Sequence, residues 1–248
     1  LKRLWKPSPG LTSIGNIVIK AKPFENLAEA HAMQFIARHT SVPVPKVYCA
    51  FVLKGKTYIV MSRLRGHMAA YGWKNRPQES KARILDQLRR MVAEIRSVHP
   101  PRQDIGVSNV NGGPFFDCRL PSKHFWGPFA TTREFHEALI GDFDPDVEYE
   151  SAPDGLPELL RFYQQANHGL VFTHGDLSSF NIMVEGDEVV GILDWETAGW
   201  FPSYWEYACA RNVNPHNLFW EDKVDRFLIP MPEELQMDEV RRRYFGDF

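Results

Sequence analysis

The chain is poor in cysteine, in net charge and in long apolar runs. Its three cysteines, Cys49, Cys118 and Cys209, are odd in number, far apart and without the paired spacing of a zinc site. That excludes a disulfide scaffold as the organising principle and leaves free thiols in a reducing compartment, the cytoplasm, as the expectation. Lys and Arg number 29 against 31 Asp and Glu, a formal net charge of −2, so there is no basic footprint for nucleic acid. No stretch approaches the roughly 18 apolar residues of a membrane span, so no membrane partner is expected. Internal repeats and low-complexity tracts are absent, which excludes a solenoid. The sequence opens at Leu1 rather than Met, so an earlier targeting segment is neither indicated nor ruled out. What is present is ordinary for a globular chain: 248 residues, 44% hydrophobic and 24% charged. That suffices for one large domain or two lobes, and oligomeric state is not legible.

Periodicity divides the chain into two parts. Ile14 to Lys22 reads as one strand, with Ile17, Val18 and Ile19 supplying β-branched residues. Glu25 to His39 reads as a helix, with Leu27, Ala30, Met33, Phe35, Ile36 and Ala37 apolar and Glu25 and Glu29 toward its start. Pro43 and Pro45 forbid its continuation. Val47 to Leu53 and Thr57 to Met61 form a hairpin across Lys54-Gly55-Lys56. A connector at 62–66 follows, and from about Pro77 the chain turns helical, with Ile84, Leu88, Met91, Val92 and Ile95 at helical spacing. Residues 100–128, rich in Pro and Gly, read as irregular. Arg133 to Leu139 and Leu156 to His168 read as helices, with an acidic run, 142–150, between them. Leu170 to Thr173 is a strand, and Ile182–Val184 and Val189–Leu193 are a second hairpin. The remainder reads as helix broken by Pro202, Pro215, Pro230 and Pro232. The expected class is α+β: a small antiparallel-sheet lobe over residues 1–61, a hinge at 62–66, and a larger, mainly helical lobe over 67–248.

The densest chemistry lies in His174-Gly175-Asp176-Leu177-Ser178-Ser179-Phe180-Asn181 and Ile192-Leu193-Asp194-Trp195-Glu196. An Asp is followed by an Asn five residues on and a second Asp thirteen further, around a hairpin. Phosphoryl transfer from a Mg-nucleotide needs one carboxylate at the acceptor hydroxyl and two oxygen ligands for the metal. The protein-kinase catalytic loop is similar in this spacing. Asp176 is therefore expected to orient the acceptor hydroxyl and take its proton. Asn181 and Asp194 are expected to hold Mg²⁺, which takes one or two hard oxygens from protein. Glu196 is either an additional ligand or a salt-bridge partner, and His174 is expected to hold the loop rather than shuttle protons. Lys20 ends the strand Val18-Ile19-Lys20 and is the candidate for the nucleotide α/β phosphates. Strand alternation puts Val18 on the same face, over the adenine, and Lys22 is the rival lysine. Glu29 would pair with Lys20, with Glu25 as the alternative. The backbone of Met61-Ser62-Arg63-Leu64, Ser62 and Leu64 in particular, is expected at the adenine edge.

On these residues the chain resembles the aminoglycoside phosphotransferase and choline kinase group, which has a protein-kinase-like fold. Within it, the chain is most similar to the fungal phosphotransferase-family proteins. The resemblance runs over residues 14 to 210. Besides the motifs above it rests on His39 to Tyr48, on Tyr58-Ile59-Val60-Met61 and on Gly199-Trp200-Phe201-Pro202-Ser203-Tyr204-Trp205-Glu206. It implies ATP or GTP as donor, Mg²⁺ as cofactor and a small-molecule hydroxyl as acceptor. There are departures from protein kinases. No Gly-rich phosphate loop precedes Lys20; Gly10 and Gly15 are near, with Ser8 or Ser13 as substitute donors. Gly175 stands where protein kinases carry an Arg, and Trp195-Glu196 replaces Phe-Gly. Only seven residues separate Asp194 from Pro202, too few for a protein-substrate platform.

Members of this group bind cationic substrates, so acidic walls are expected: the run 142–150, Glu206, Glu221 and Asp222. Trp126, Phe129, Tyr204, Trp205 and Trp220 are candidates for an amine cage, with core packing as the plainer role for each. Two other readings stand beside a small-molecule phosphotransferase. One is a protein kinase, which Gly175 and the short segment after Asp194 oppose. The other is a nucleotide-binding scaffold without activity, which the intact Asp176, Asn181 and Asp194 oppose.

Overall fold

The first long β-branched stretch folds back on itself. In the computed structural model, β1 (Leu11–Ile14) and β2 (Ile17–Lys22) are two strands of a hairpin rather than one strand from Ile14. Gly15, at φ +57°, makes the turn that periodicity alone runs through. The structure describes residues 10–117, 119–120, 125–141, 143, 153–165, 167–212 and 217–246. β3 (Val47–Leu53) and β4 (Lys56–Ser62) complete an antiparallel sheet of order β1-β2-β4-β3. Helix α1 (Ala28–His39) packs against it. It starts three residues later than expected, after a local turn in which Asn26 Oδ1 accepts the Ala28 N–H at 2.7 Å. The buried Thr57 hydroxyl fixes the approach, donating to Phe24 O and accepting from Asn26 N, both at 2.8 Å.

The larger lobe follows the connector. β5 (His67–Met68) joins a sheet of order β11-β10-β5 with β10 (Ile182–Glu185) and β11 (Glu188–Ile192). Helix α2 (Gln78–Ser97) buries Ile84, Leu85, Leu88, Val92 and Ile95 along one stripe, as its spacing predicts. The region expected to be irregular carries β6 (Ser108–Asn109), β7 (Phe115–Phe116) and β8 (Phe125–Trp126). These strands are two residues long, too short for an alternation to show. Helices α3 (Thr132–Leu139) and α4 (Leu156–Gln165) come next, α4 ending before His168. The sequence after Asp194 is not all helix. Trp195–Thr197 is a 3₁₀ turn, and β12 (Gly199–Pro202) lies between β6 and β9 (Leu170–Thr173). All four β12 residues are buried, so the strand shows no alternation. Helices α5 (Trp205–Arg211), α6 (Leu218–Val224) and α7 (Pro232–Phe245) complete the described chain.

Two apolar clusters hold this together. One joins Ala30, Met33 and Ile36 of α1 to Ile84, Leu88, Phe172, Trp195 and Trp200, so the small lobe's helix shares a core with the large lobe. The other, around Phe115, Phe135, Tyr163, Phe201, Tyr204 and Trp205, supports the C-terminal helices. Each fully buried large side chain contributes about 1.5–3 kcal/mol. Phe24 also bridges the lobes, its ring 5.2 Å from Phe116 and 5.4 Å from Phe125. Among the described residues, no helix is long and apolar enough to cross a membrane.

Candidate functional site

Two cavities meet in the cleft. The one under the small sheet has a volume of 460 Å³ and is lined by Val18, Lys20, Glu29, Met61, Ser62 and Leu64, with Met183 and Leu193 opposite. The second, of 410 Å³, lies in the large lobe and contains Asp176. Phe180, Asn181 and Asp194 line both.

Lys20 is the electrostatic centre of the first cavity. Its Nζ lies 2.7 Å from Glu29 Oε1, 2.7 Å from Asp194 Oδ1 and 3.4 Å from Glu196 Oε2. Burial would lower its pKa, but the three carboxylates outweigh that and raise it, so the ammonium stays charged. Glu29 is 2% exposed. Glu25 precedes the helix and is exposed, which removes it as the partner. The rival Lys22 reaches the same pair, 3.1 Å from Glu29 Oε2 and 2.9 Å from Glu196 Oε2, and is buried beside the Phe24 ring. Lys22 thus holds Glu29 and Glu196 from behind, while Lys20 faces the cavity.

The connector is already partly spoken for. Ser62 N donates to Lys46 O at 2.8 Å, Ser62 Oγ accepts from Lys46 N at 2.9 Å, and Arg63 N donates to Asn16 O at 2.8 Å. The last bond places the Gly15-Asn16 turn at the hinge end of the hairpin. Lys20 pairs with Leu11 at the other end. Gly15 is therefore at the far end of the hairpin from Lys20, the lysine expected to hold phosphate. Gly10, whose carbonyl accepts from Ala21 N at 2.7 Å, sits at the Lys20 end, and Ser8 lies outside the described residues.

The catalytic-loop candidate is pinned from three sides. His174 is fully buried; its Nδ1 accepts the Asp176 N–H at 3.1 Å, which leaves Nε2 protonated to donate to Leu193 O at 2.9 Å. One imidazole thereby sets Asp176 relative to the residue preceding Asp194. Glu206 accepts from His174 N at 2.6 Å and from Gly175 N at 3.1 Å. Burial raises the Glu206 carboxyl, against the opposing pull of His174 and Arg96. Gly175 has φ +83°, and a Cβ there would lie 2.9 Å from Thr197 O, so glycine is required by the close approach of the turn. Asn181 Nδ2 donates to Asp176 O at 2.9 Å and to Asp176 Oδ2 at 2.7 Å. Its carboxamide oxygen is left for the cleft.

Asp194 takes the left-handed conformation, φ 62°, at the end of β11, a feature no sequence pattern announces. Burial would raise its carboxyl; Lys20 outweighs that and holds it below the ordinary range, so it is ionised. Its side chain is 39% exposed. With Asn181 it offers two hard oxygens at the junction of the cavities, a donor set that fits Mg²⁺. Glu29, Asp194 and Glu196 also place one oxygen each within 4.8 Å of one another.

The described members of the expected acidic wall and aromatic cage are engaged elsewhere. Glu206 is spent on the loop backbone, Glu221 pairs with Arg211 at 3.3 Å, and Asp222 pairs with Lys223. Tyr204, Trp205 and Trp220 are buried core, as is Trp126, and none of them lines either cavity; Phe129 packs on Phe115 and Phe135. Of the run 142–150 only Phe143 is among the described residues. The second cavity is instead lined by Arg119, Ser178, Thr197, Cys209, Asn212 and Arg242. Sequence reasoning misses these: Arg119 sits in a segment without periodicity, and Arg242 in an Arg-Arg-Arg run that reads as solvated surface.

A model of the phosphotransferase enzyme family, APH, matches residues 20–236. The chain is 22% identical over 204 residues to an aminoglycoside 3'-phosphotransferase of Niallia circulans, covering 82% of this chain and 71% of that one. Among solved structures it is similar to a thermostable mutant of aminoglycoside phosphotransferase APH(4)-Ia in ternary complex with ADP and hygromycin B. The TM-score is 0.58, at 17% identity over 94% of this chain and 72% of that one. It is likewise similar to an aminoglycoside-3'-phosphotransferase of type VIII, with a TM-score of 0.56, 17% identity, and coverage of 92% and 85%. At such identities the structural likeness establishes the two-lobed, protein-kinase-like fold. The narrower likeness to the fungal set stays an expectation.

Proposed function

We propose that this chain, which belongs to the phosphotransferase enzyme family, transfers the γ-phosphoryl group of ATP to a hydroxyl of a small molecule. The observation that carries this reading is the convergence of Lys20, Asp176, Asn181 and Asp194 where the two cavities join. The first cavity takes the nucleotide, with Val18 against the base, Ser62 and Leu64 at its edge, and Lys20, aimed by Glu29, on the α/β phosphates. Adenine rather than guanine follows the relatives solved with ADP or AMP-PNP. Mg²⁺, held by Asn181 and Asp194, would neutralise charge on the transferring phosphates. Asp176 faces the second cavity. It orients the acceptor hydroxyl and receives its proton as the oxygen attacks, while Asn181 holds the carboxylate's other oxygen in place. We place the lobes at residues 1–61 and 67–248 with 62–66 as hinge, and the protein in the cytoplasm.

A cationic, aminoglycoside-like acceptor draws its support from the relatives' names and from the acidic run 142–150. Screening hydroxylated acids, sugars, amines and antibiotics for Mg-ATP-dependent ADP release identifies an acceptor. With it, Asp176→Asn lowers turnover by roughly 10²–10⁴-fold while nucleotide binding is retained. Unchanged turnover would sink the assignment of Asp176.

A further inference from the structure

The second cavity presents two guanidinium groups toward the place where Asp176 lies. Arg119 lines it and is held side-on by the buried Asp117, Nε to Oδ1 at 2.7 Å and Nη2 to Oδ2 at 2.6 Å. Asp117 also accepts the Arg119 N–H at 3.0 Å, so main chain and side chain of this residue are fixed together. Arg242, on α7, lines the cavity next to Asn212. Its Nε donates to Asp238 Oδ2 at 2.7 Å, and Asp238 in turn takes Arg241 Nε at 2.8 Å and Asn212 Nδ2 at 2.9 Å. Asp117 and Asp238 are thus used up as anchors. Arg119 Nη1 and both terminal nitrogens of Arg242 have no acceptor among the described residues. Both side chains are partly exposed, at 24% and 29%.

Asp117 and Asp238 already balance much of this charge and Asp176 also acts on Arg119, so what the two arginines offer an acceptor is free N–H donors rather than a net positive field. Asp194 and Glu196 face Lys20 and Lys22. Asp176 is the one described lining carboxylate left over, and the acceptor hydroxyl needs it. A polycation entering here would meet two guanidinium groups with free donors; an oxyanion would find planar N–H forks already oriented by buried carboxylates.

We propose that the acceptor is a small hydroxylated acid whose carboxylate or phosphate is gripped by Arg119 and Arg242 while its hydroxyl lies at Asp176. This rests on the phosphotransferase reading for the hydroxyl, but the anion grip is separable from it. Arg119 and Arg242 are specificity-determining residues, and the family pattern in the catalytic loop does not include them.

The test uses inorganic sulfate as the probe. Sulfate is titrated calorimetrically into the full chain with and without saturating Mg-AMP-PNP, so that Lys20 is screened in one arm. Arg242→Gln is the first variant, because Arg241 still holds Asp238 and α7 keeps its anchor; an unchanged melting temperature checks this. The wild type is expected to bind sulfate at least about tenfold more tightly than Arg242→Gln, and Arg119→Gln/Arg242→Gln more weakly still. Equal sulfate binding by wild type and variants overturns the proposal. Failure of Mg-AMP-PNP to bind would instead count against the phosphotransferase reading and leave the sulfate comparison to be read by itself. In turnover, gluconate and glycerol 3-phosphate, which tell carboxylate from phosphate, are expected to outperform glucose and glycerol. Arg242→Gln should erase that preference through the KM for the acid with the KM for ATP unchanged. Faster turnover of streptomycin than of either acid overturns the proposal.

Discussion

Glu206 shows how far a residue's work can lie from what its type suggests. By composition it is one of several surface acids; by position it is a buried carboxylate accepting two backbone N–H groups of the catalytic loop. Removing it leaves both donors without a partner in a site closed to water, and each such group costs about 1–3 kcal/mol. Glu206→Ala is therefore expected to lose about 2–5 kcal/mol in urea unfolding, and Glu206→Gln, which keeps one acceptor oxygen, clearly less. Equal stability of both variants and the wild type would show that the loop is held by something else. Lys20 and Glu29 were readable in the sequence because strand alternation and helix phase restrict where each can point. Arg119 and Arg242 were not, since their meaning comes from Asp117 and Asp238, which bind them only after the chain has folded.

At the scale of elements, the long periodic pieces were legible and the short buried ones were not. Helix α2 and strand β4 lie close to where spacing puts them, because each has one wet face and one dry face. β12 carries no such contrast: it is paired on both edges and buried throughout. Its dependence on close backbone approach is testable at Gly199, where a Cβ would sit 2.2 Å from Ser108 O. Gly199→Ala must push β6 away, and we expect a loss of about 2–4 kcal/mol in chemical denaturation. Gly169→Ala, with nothing within 4 Å of its Cβ, is the control and should stay within about 0.5 kcal/mol. Matching losses in the two variants would contradict the packing described for β12.

At the scale of the whole molecule, stability carries a pH signature from the second core. His136 stacks on Tyr163 with centroids 4.2 Å apart, and its Nε2 lies 2.9 Å from the Tyr204 hydroxyl. Burial lowers its pKa from 6.5 to about 3, with a Tyr163 hydrogen bond opposing and His168 adding to the shift. The folded state keeps the ring neutral while the unfolded chain takes up a proton below 6.5. This stabilisation is complete above pH 6.5 and is lost progressively as pH falls toward 3. His136→Phe, which retains a stacked ring, should show a shallower fall in melting temperature between pH 6.5 and about 5 than the wild type. An identical slope would mean that other groups set the acid limit. The meeting of the cavities at Phe180, Asn181 and Asp194 has an evolutionary corollary. One cavity draws on the small sheet and connector, the other on the segment around Arg119 and on α5 and α7. On the proposed assignment of the cavities, mutations that retarget the acceptor can accumulate in the second set without disturbing the first. Under that assignment the first cavity is a fixed phosphate dispenser and the second its exchangeable mouth, so that new substrates are reached by redrawing one side of the cleft.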